Sequence, residues 1–64
     1  MQQYQTPHFL RRKQVEARTG LSRSSIYSLM AKGQFPRPAK LTAKAVGWPA
    51  SAVDAWIAAK TGAL

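Results

Sequence analysis

Residues 15–29 of the chain read VEARTGLSRSSIYSL, and this stretch decides the fold. Gly20 interrupts it, and glycine readily adopts the positive φ that a tight turn between two helices requires. Ser22 follows two residues later, and serine is a favoured N-cap for a helix that starts at the next residue. The apolar residues on both sides of the turn are spaced to form a wedge between two crossing helices: Val15, Leu21, Ile26 and Leu29. The stretch therefore predicts a helix-turn-helix.

The second helix of this unit is predicted over residues 23–32. Ile26, Leu29 and Met30 follow helical spacing and mark its inward side. The side chains left on the open side all carry hydrogen-bond donors and none is acidic: Arg23, Ser24, Tyr27, Ser28 and Lys32. This chemistry suits the major groove of duplex DNA. The alternative is an ordinary pair of packed helices with a polar face.

Individual contacts follow from the chemistry of these side chains. The Ser22 hydroxyl and the first N–H groups of the helix can bind a phosphate. Arg23 can form a forked contact with guanine or pair with phosphate. Ser24 and Ser28 are short enough for the helix backbone to approach the base edges. Tyr27 can reach a phosphate or a thymine methyl group.

A first helix is predicted over residues 11–19, which contain neither Gly nor Pro. Its first turn carries Arg11, Arg12 and Lys13, whose charges oppose the positive end of the helix dipole. A nearby phosphate would relieve this repulsion, so Arg12 and Lys13 are candidate DNA contacts. Arg12 is also spaced to form an i,i+4 ion pair with Glu16.

The segment after the second helix predicts a small hairpin. Gly33 is a C-terminal stop for that helix, and two prolines exclude a helix from residues 34–38. Extended runs at residues 39–41 and 45–48 flank a short loop at residues 42–44. Two extended runs around a short loop are typical of a hairpin.

A closing helix is predicted over residues 50–60, with Pro49 in its first turn. We expect Asp54 to interact favourably with the dipole near the start of this helix. We assign Trp48 and Trp56 to the core, because a domain this small needs large buried side chains. The alternative for the two tryptophans is a stacking platform for single strands.

These elements give a mainly α fold with a small β-hairpin, which is the arrangement of three helices and a wing in a winged helix-turn-helix. The predicted domain spans residues 9–60. Residues 1–8 are expected to be a flexible lead-in and residues 61–64 a C-terminal tail. The pair Phe9 and Leu10 is expected to pack on the core or to form a short strand.

A set of phased motifs carries a family resemblance: RKQV at 12–15, TGLSRSSIY at 19–27, GQFPRP at 33–38, KL at 40–41, AVGW at 45–48 and VDAWI at 53–57. Together they resemble the AlpA family of prophage transcriptional regulators, which is grouped with the excisionase-like and MerR-like winged helix-turn-helix proteins. The resemblance covers about residues 9–60, and the combination is far more specific than any single motif.

The resemblance implies a short strand, two helices, a β-hairpin wing and a closing helix. It also implies a regulator of genes in a prophage or integrated element, typically an activator of an integrase or excisionase gene. The recognition helix carries over onto Arg23, Ser24, Ser25, Tyr27 and Ser28. The wing carries over onto Arg37, Lys40 and Lys44.

The basic residues around the hairpin are candidate backbone contacts. Lys40 and Lys44 flank the predicted tip and, as wing residues, would lie over the minor groove or its phosphates. Arg37 lies between two prolines that keep the backbone stiff, so its guanidinium can contact a phosphate at small entropic cost. The alternative for all three is a solvated loop.

Composition indicates a polyanionic partner and argues against catalysis. Ten Lys and Arg stand against two acidic residues among 64, for a net charge of +8. Without cysteine, and with one histidine, the chain offers neither a thiolate zinc site nor a catalytic triad, so we expect no enzyme and no cofactor. An apolar run long enough to span a bilayer and a secretory signal are both missing, so we expect a cytoplasmic protein without a membrane partner.

We interpret the sequence as a sequence-specific, double-stranded-DNA-binding transcriptional regulator that acts as a homodimer or as a cooperative oligomer on repeated sites. One alternative with the same fold is an excisionase, or recombination directionality factor, that bends attachment-site DNA. A second is an RNA-binding or ribosome-associated basic module. A third is a membrane-active basic peptide, which is disfavoured because prolines interrupt any long amphipathic helix.

Overall fold

Six elements follow one another in residues 8–62, the part of the chain that the computed structural model describes. They are β1 (Phe9–Leu10), α1 (Arg12–Thr19), α2 (Arg23–Ala31), β2 (Ala39–Thr42), β3 (Ala45–Pro49) and α3 (Ala50–Gly62). The predicted mainly α fold with three helices and a small hairpin is confirmed. Most of the predicted lead-in, residues 1–7, and the last two residues of the predicted tail lie outside the described residues.

Local hydrogen bonds define both ends of α1. Arg11 is the N-cap, and its backbone N–H donates to Oε1 of Gln14 at 2.8 Å. The sequence contains no small polar cap here, and Gln14 supplies the acceptor from inside the first turn. At the other end Gly20 has φ 77° and donates its N–H to the carbonyl of Glu16 at 2.8 Å. This is the left-handed ending that glycine favours, as predicted.

The ends of α2 also follow the predicted signals. Ser22 caps the helix, because its hydroxyl oxygen accepts from the backbone N–H of Ser25 at 3.1 Å. After the helix, Gly33 has φ 72°, and the next residue, Gln34, donates its N–H to the carbonyl of Leu29 at 2.8 Å. This six-to-one bond, closed by a left-handed glycine, is a Schellman motif.

The three strands form one antiparallel sheet in the order β1-β3-β2. Pairing of Thr42 with Ala45 leaves a turn of only two residues, Ala43 and Lys44. The expected loop over residues 42–44 is therefore one residue too long. A register irregularity between Lys40 and Thr42 allows this tighter turn, because a bulge changes which residues face each other across the hairpin.

The start and the end of α3 differ from the prediction. Pro49 is the last residue of β3 and pairs with Phe9, so it precedes α3 instead of lying in its first turn. The N–H of Ala50, which begins the helix, donates to the carbonyl of His8 at 3.0 Å. The helix continues to Gly62, two residues beyond its predicted end.

The core lies between the helices and the sheet. Seven apolar side chains are buried there: Leu10, Val15, Ile26, Phe35, Trp48, Ala50 and Val53. The Trp48 indole N–H donates to the Pro36 carbonyl at 2.9 Å, and that of Trp56 donates to the Gln34 carbonyl at 2.8 Å. Trp48 is fully buried and Trp56 is half-buried against the core, which confirms their assignment to packing.

The predicted role of Asp54 is wrong. Asp54 lies beyond the first turn of α3, and its carboxylate accepts from the Arg18 guanidinium at 2.8 Å. It therefore connects α3 to the end of α1 instead of interacting with the dipole of its own helix. The predicted ion pair between Arg12 and Glu16 is confirmed.

Candidate nucleic-acid interface

A basic cleft of about 390 Å³ opens between α1, α2 and the hairpin. Four cationic side chains surround it, three from the start of α1 and one from the hairpin turn. The complete lining, which defines the basic cleft, is Arg11, Arg12, Lys13, Tyr27, Lys44, Val46 and Trp48. The fold thus brings two basic segments that are about thirty residues apart in the sequence to one cleft that Tyr27 also lines.

The start of α1 concentrates positive charge at the cleft. Arg11 is the N-cap, Arg12 and Lys13 form the first turn, and that turn holds no acidic residue. The helix dipole adds partial positive charge at the same end. Arg12 is half-buried and paired with Glu16, which holds its guanidinium at the cleft edge. An anion in the cleft would lower the mutual repulsion of these groups.

Tyr27 connects the basic cleft to α2. Its side chain is 42% exposed and lines the cleft. The Arg23 guanidinium carbon lies 5.8 Å from the centre of the Tyr27 ring, one helical turn away. This cation–π geometry steadies a fifth cationic group beside the cleft. The tyrosine hydroxyl can donate a hydrogen bond to an anion that the surrounding cations attract.

A second depression, of about 400 Å³, runs along the other flank of α2. We call it the serine groove, and its lining is Leu21, Ser24, Ser25, Ser28 and Leu29. None of these side chains is charged. The Ser22 hydroxyl donates its hydrogen to the Ser25 hydroxyl oxygen at 3.0 Å, so Ser25 keeps its own hydroxyl hydrogen for another acceptor. Ser24 and Ser28 are exposed and lie one turn apart.

The structure brings only part of the predicted site together. Of the predicted residues, four line the basic cleft: Arg12, Lys13, Tyr27 and Lys44. Three others line the serine groove: Ser24, Ser25 and Ser28. Ser22 borders a separate depression with Lys13, and Arg23 lies over Tyr27. Three exposed basic residues line neither feature: Lys32, Arg37 and Lys40.

Sequence reasoning did not predict as contacts three of the seven residues that line the basic cleft: Arg11, Val46 and Trp48, which was assigned to the core. Arg11 belongs to the basic run at the start of α1, yet it is absent from the predicted contacts; the run itself was the available signal. Val46 is 43% exposed and pairs with Lys40 across the hairpin. An apolar residue in a short strand is expected to be buried, so no local signal indicated its exposure.

The candidate interface presents hydrogen-bonding groups and positively charged side chains. Within residues 8–62 no three His, Cys, Asp or Glu side chains come together as a metal site would require. In the same part of the chain, every helix is too short or too polar to cross a membrane.

A helix-turn-helix whose second helix lies beside a basic hairpin defines the class of winged helix-turn-helix proteins. Residues 8–61 match the protein family described as "Prophage CP4-57 regulatory protein (AlpA)". Because the match covers most of the chain, this protein belongs to the AlpA family of prophage regulatory proteins, and the resemblance stated from its motifs is confirmed.

The chain is also similar to "Uncharacterized protein ORF88" of Enterobacteria phage P4, with 48% identity over 52 residues. The aligned part is 81% of this chain and 59% of the phage protein, so the chain spans about three fifths of that relative's length.

Proposed function

We propose that this protein is a sequence-specific, double-stranded-DNA-binding transcriptional regulator of a prophage or integrated element. In this proposal α2 enters the major groove while the basic cleft and the hairpin turn contact the sugar–phosphate backbone beside it. The observation that carries the proposal is the basic cleft, where four cationic side chains from two separate elements adjoin the exposed face of α2.

Electrostatics favours a nucleic acid over other anions. The cationic groups of the basic cleft come from α1 and from the hairpin, so they suit a ligand with regularly spaced negative charges rather than a single ion. The two acidic residues of the sequence are Glu16 and Asp54; each is in an ion pair, and neither lines the cleft. Glu16 neutralises Arg12 of the cleft lining, so Arg11, Lys13 and Lys44 carry the positive charge that remains there for a polyanion.

The shape of α2 favours a duplex. The major groove of B-DNA is about 12 Å wide and admits one α-helix. Three exposed residues of α2 are small, namely Ser24, Ser28 and Ala31, so the helix backbone can approach the base edges. Membership in a family of prophage regulatory proteins supports gene regulation as the purpose of this binding.

The direct test is a titration of labelled duplex DNA with the full chain, followed by fluorescence anisotropy. Bound fragments are first selected from random duplexes. If about five phosphates are neutralised, a plot of log affinity against log salt should have a slope near −4.5. Absence of duplex binding at low ionic strength, or a slope near zero, would contradict the proposal.

Competition and bending measurements separate the alternatives. Unlabelled structured RNA of equal charge should compete poorly with the selected duplex; stronger competition by RNA would favour an RNA-binding module. A circular-permutation gel shift combined with a promoter reporter distinguishes regulation from architecture. A strong bend at attachment-site DNA without any change in promoter output would identify a recombination directionality factor.

A further inference from the structure

The two flanks of α2 differ in chemistry. One flank carries Tyr27 and Arg23 and adjoins the basic cleft. The other flank is the serine groove, which is uncharged along its whole lining. Both flanks belong to the same nine-residue helix, so a duplex that lies against one is within reach of the other. Charge complementarity then assigns the phosphates to the basic flank and the neutral base edges to the serine groove.

The serine groove has fixed apolar walls. Leu21 and Leu29 are half-buried and pack against the core, so their exposed surfaces are held in place. Between them, Ser24 and Ser28 present short side chains whose hydroxyls both donate and accept hydrogen bonds. A ligand of this groove combines an apolar group with an adjacent hydrogen-bonding atom and carries no charge of its own.

Thymine has this combination at the edge it shows in the major groove. Its C5-methyl group is the apolar feature there, and its O4 is an acceptor close by. Guanine, cytosine and adenine carry no methyl group at that edge. We propose that the serine groove recognises thymine, with the methyl group against Leu21 and Leu29 and O4 near the Ser24 or Ser28 hydroxyl. This inference rests on the proposed duplex binding and adds the base that α2 prefers.

The test removes the methyl groups from the DNA and leaves the protein unchanged. In a selected duplex, each thymine is replaced in turn by deoxyuridine, which differs only by that methyl group, and affinity is measured at one salt concentration. At one or a few positions inside the footprint the affinity should fall about fourfold, the effect of exposing one buried apolar carbon. Replacements outside the footprint should have no effect.

Variants then show whether the groove reads the methyl group. Ser28→Asn puts a longer polar side chain into the groove from an exposed position, and in this variant the penalty for deoxyuridine should disappear. Leu21→Ala should reduce the same penalty, provided that its thermal unfolding shows a folded chain. Lys44→Ala is the matched control, because it weakens backbone contact and should retain the full penalty.

Three outcomes would overturn the inference. Binding of a fully deoxyuridine-substituted duplex within twofold of the original would exclude methyl recognition and leave the proposed function intact. An unchanged penalty in Ser28→Asn would show that the methyl groups act through DNA shape instead of the groove. Failure to bind any duplex at low salt would overturn both proposals.

Discussion

Lys44 lies at the tip of the hairpin and lines the basic cleft together with the start of α1. Its backbone N–H donates to the Thr42 side-chain oxygen at 3.2 Å, which steadies the two-residue turn while the ammonium group is exposed. We expect Lys44→Ala to weaken binding to all duplexes alike, because phosphate contacts carry no sequence information. The slope of log affinity against log salt should become shallower by about 0.9, measured by anisotropy titrations.

Lys60→Ala is the matched control, since it removes the same charge from the last turn of α3. There the Lys60 ammonium lies 5.4 Å from the Trp56 ring centre, outside the basic cleft. Its salt dependence should equal that of the wild type. Equal losses in the two variants would show that binding responds to net charge and not to the cleft.

Tyr27 allows the removal of a single oxygen from the interface. Tyr27→Phe keeps the ring under Arg23 and deletes only the hydroxyl. Because the side chain is 42% exposed, the free energy of unfolding should stay within about 0.5 kcal/mol of the wild type. Binding to a selected duplex should weaken by about 0.5–1.5 kcal/mol, the net value of one hydrogen bond. Calorimetry gives both quantities, and unchanged affinity would place the hydroxyl outside the interface.

At the scale of the elements, the sequence predicts features that depend on neighbouring residues. The ends of α1 and α2 follow from Gly20, Ser22 and Gly33, whose backbone and cap preferences act within a few residues. Pro49 was misplaced because its environment depends on Phe9, forty residues earlier in the chain. Strand pairing over that distance leaves no periodic signal in a two-residue strand.

Four of the seven residues that line the basic cleft were predicted as contacts, but their arrangement was not. Helical spacing correctly identified exposed residues of α2, such as Arg23, Tyr27 and Ser28. The basic cleft depends on how the hairpin packs against α1, and no local pattern encodes that packing. The ion pair of Asp54 could not be predicted for the same reason, because its partner Arg18 lies 36 positions away in the sequence.

A substitution at Gly47, in the central strand β3, tests how tightly the sheet is packed. A Cβ atom at this position would lie 2.9 Å from Leu41 Cδ1, 3.0 Å from Phe9 Cβ and 3.3 Å from the Leu10 carbonyl oxygen. Two of these atoms belong to β1 and cannot move away without displacing that strand. We therefore expect Gly47→Ala to lower the free energy of unfolding by about 1–3 kcal/mol, measured by urea denaturation.

The control for this prediction is Gly62→Ala at the end of α3. A Cβ atom there meets no heavy atom within 4 Å, and alanine has the higher helix propensity. Its unfolding midpoint should equal or exceed that of the wild type. If the two variants unfold at the same urea concentration, the close approach of β1 and β2 at Gly47 does not limit stability.

At the scale of the whole molecule, the position of the charged groups matters more for binding than the net charge does. The chain carries +8, and its two acidic residues, Glu16 and Asp54, form ion pairs with two arginines of α1. The Glu16 pair neutralises one cation of the basic cleft, and Arg11, Lys13 and Lys44 keep positive charge where α1, α2 and the hairpin meet. A field with this direction can orient an approaching duplex before any contact forms.

The small size of the domain leads to the last prediction, which concerns the number of copies on DNA. The nine residues of α2 extend over about 13 Å, which is about four base pairs at 3.4 Å each. A single module of this kind buries only roughly 600–1,000 Å² of surface. An interface of this size makes too few base contacts to select one site in a genome. We therefore expect two or more copies to bind repeated sites, as a dimer or cooperatively.

Sedimentation and gel shifts with designed duplexes measure this directly. A duplex with two selected half-sites one helical turn apart should bind two copies, with a Hill coefficient above one. Moving the second half-site by half a turn should abolish the cooperativity, because it places the two copies on opposite faces of the helix. A monomer that binds one isolated half-site as tightly as the paired sites would show that the exposed surface of α2, together with the basic cleft, is sufficient for recognition.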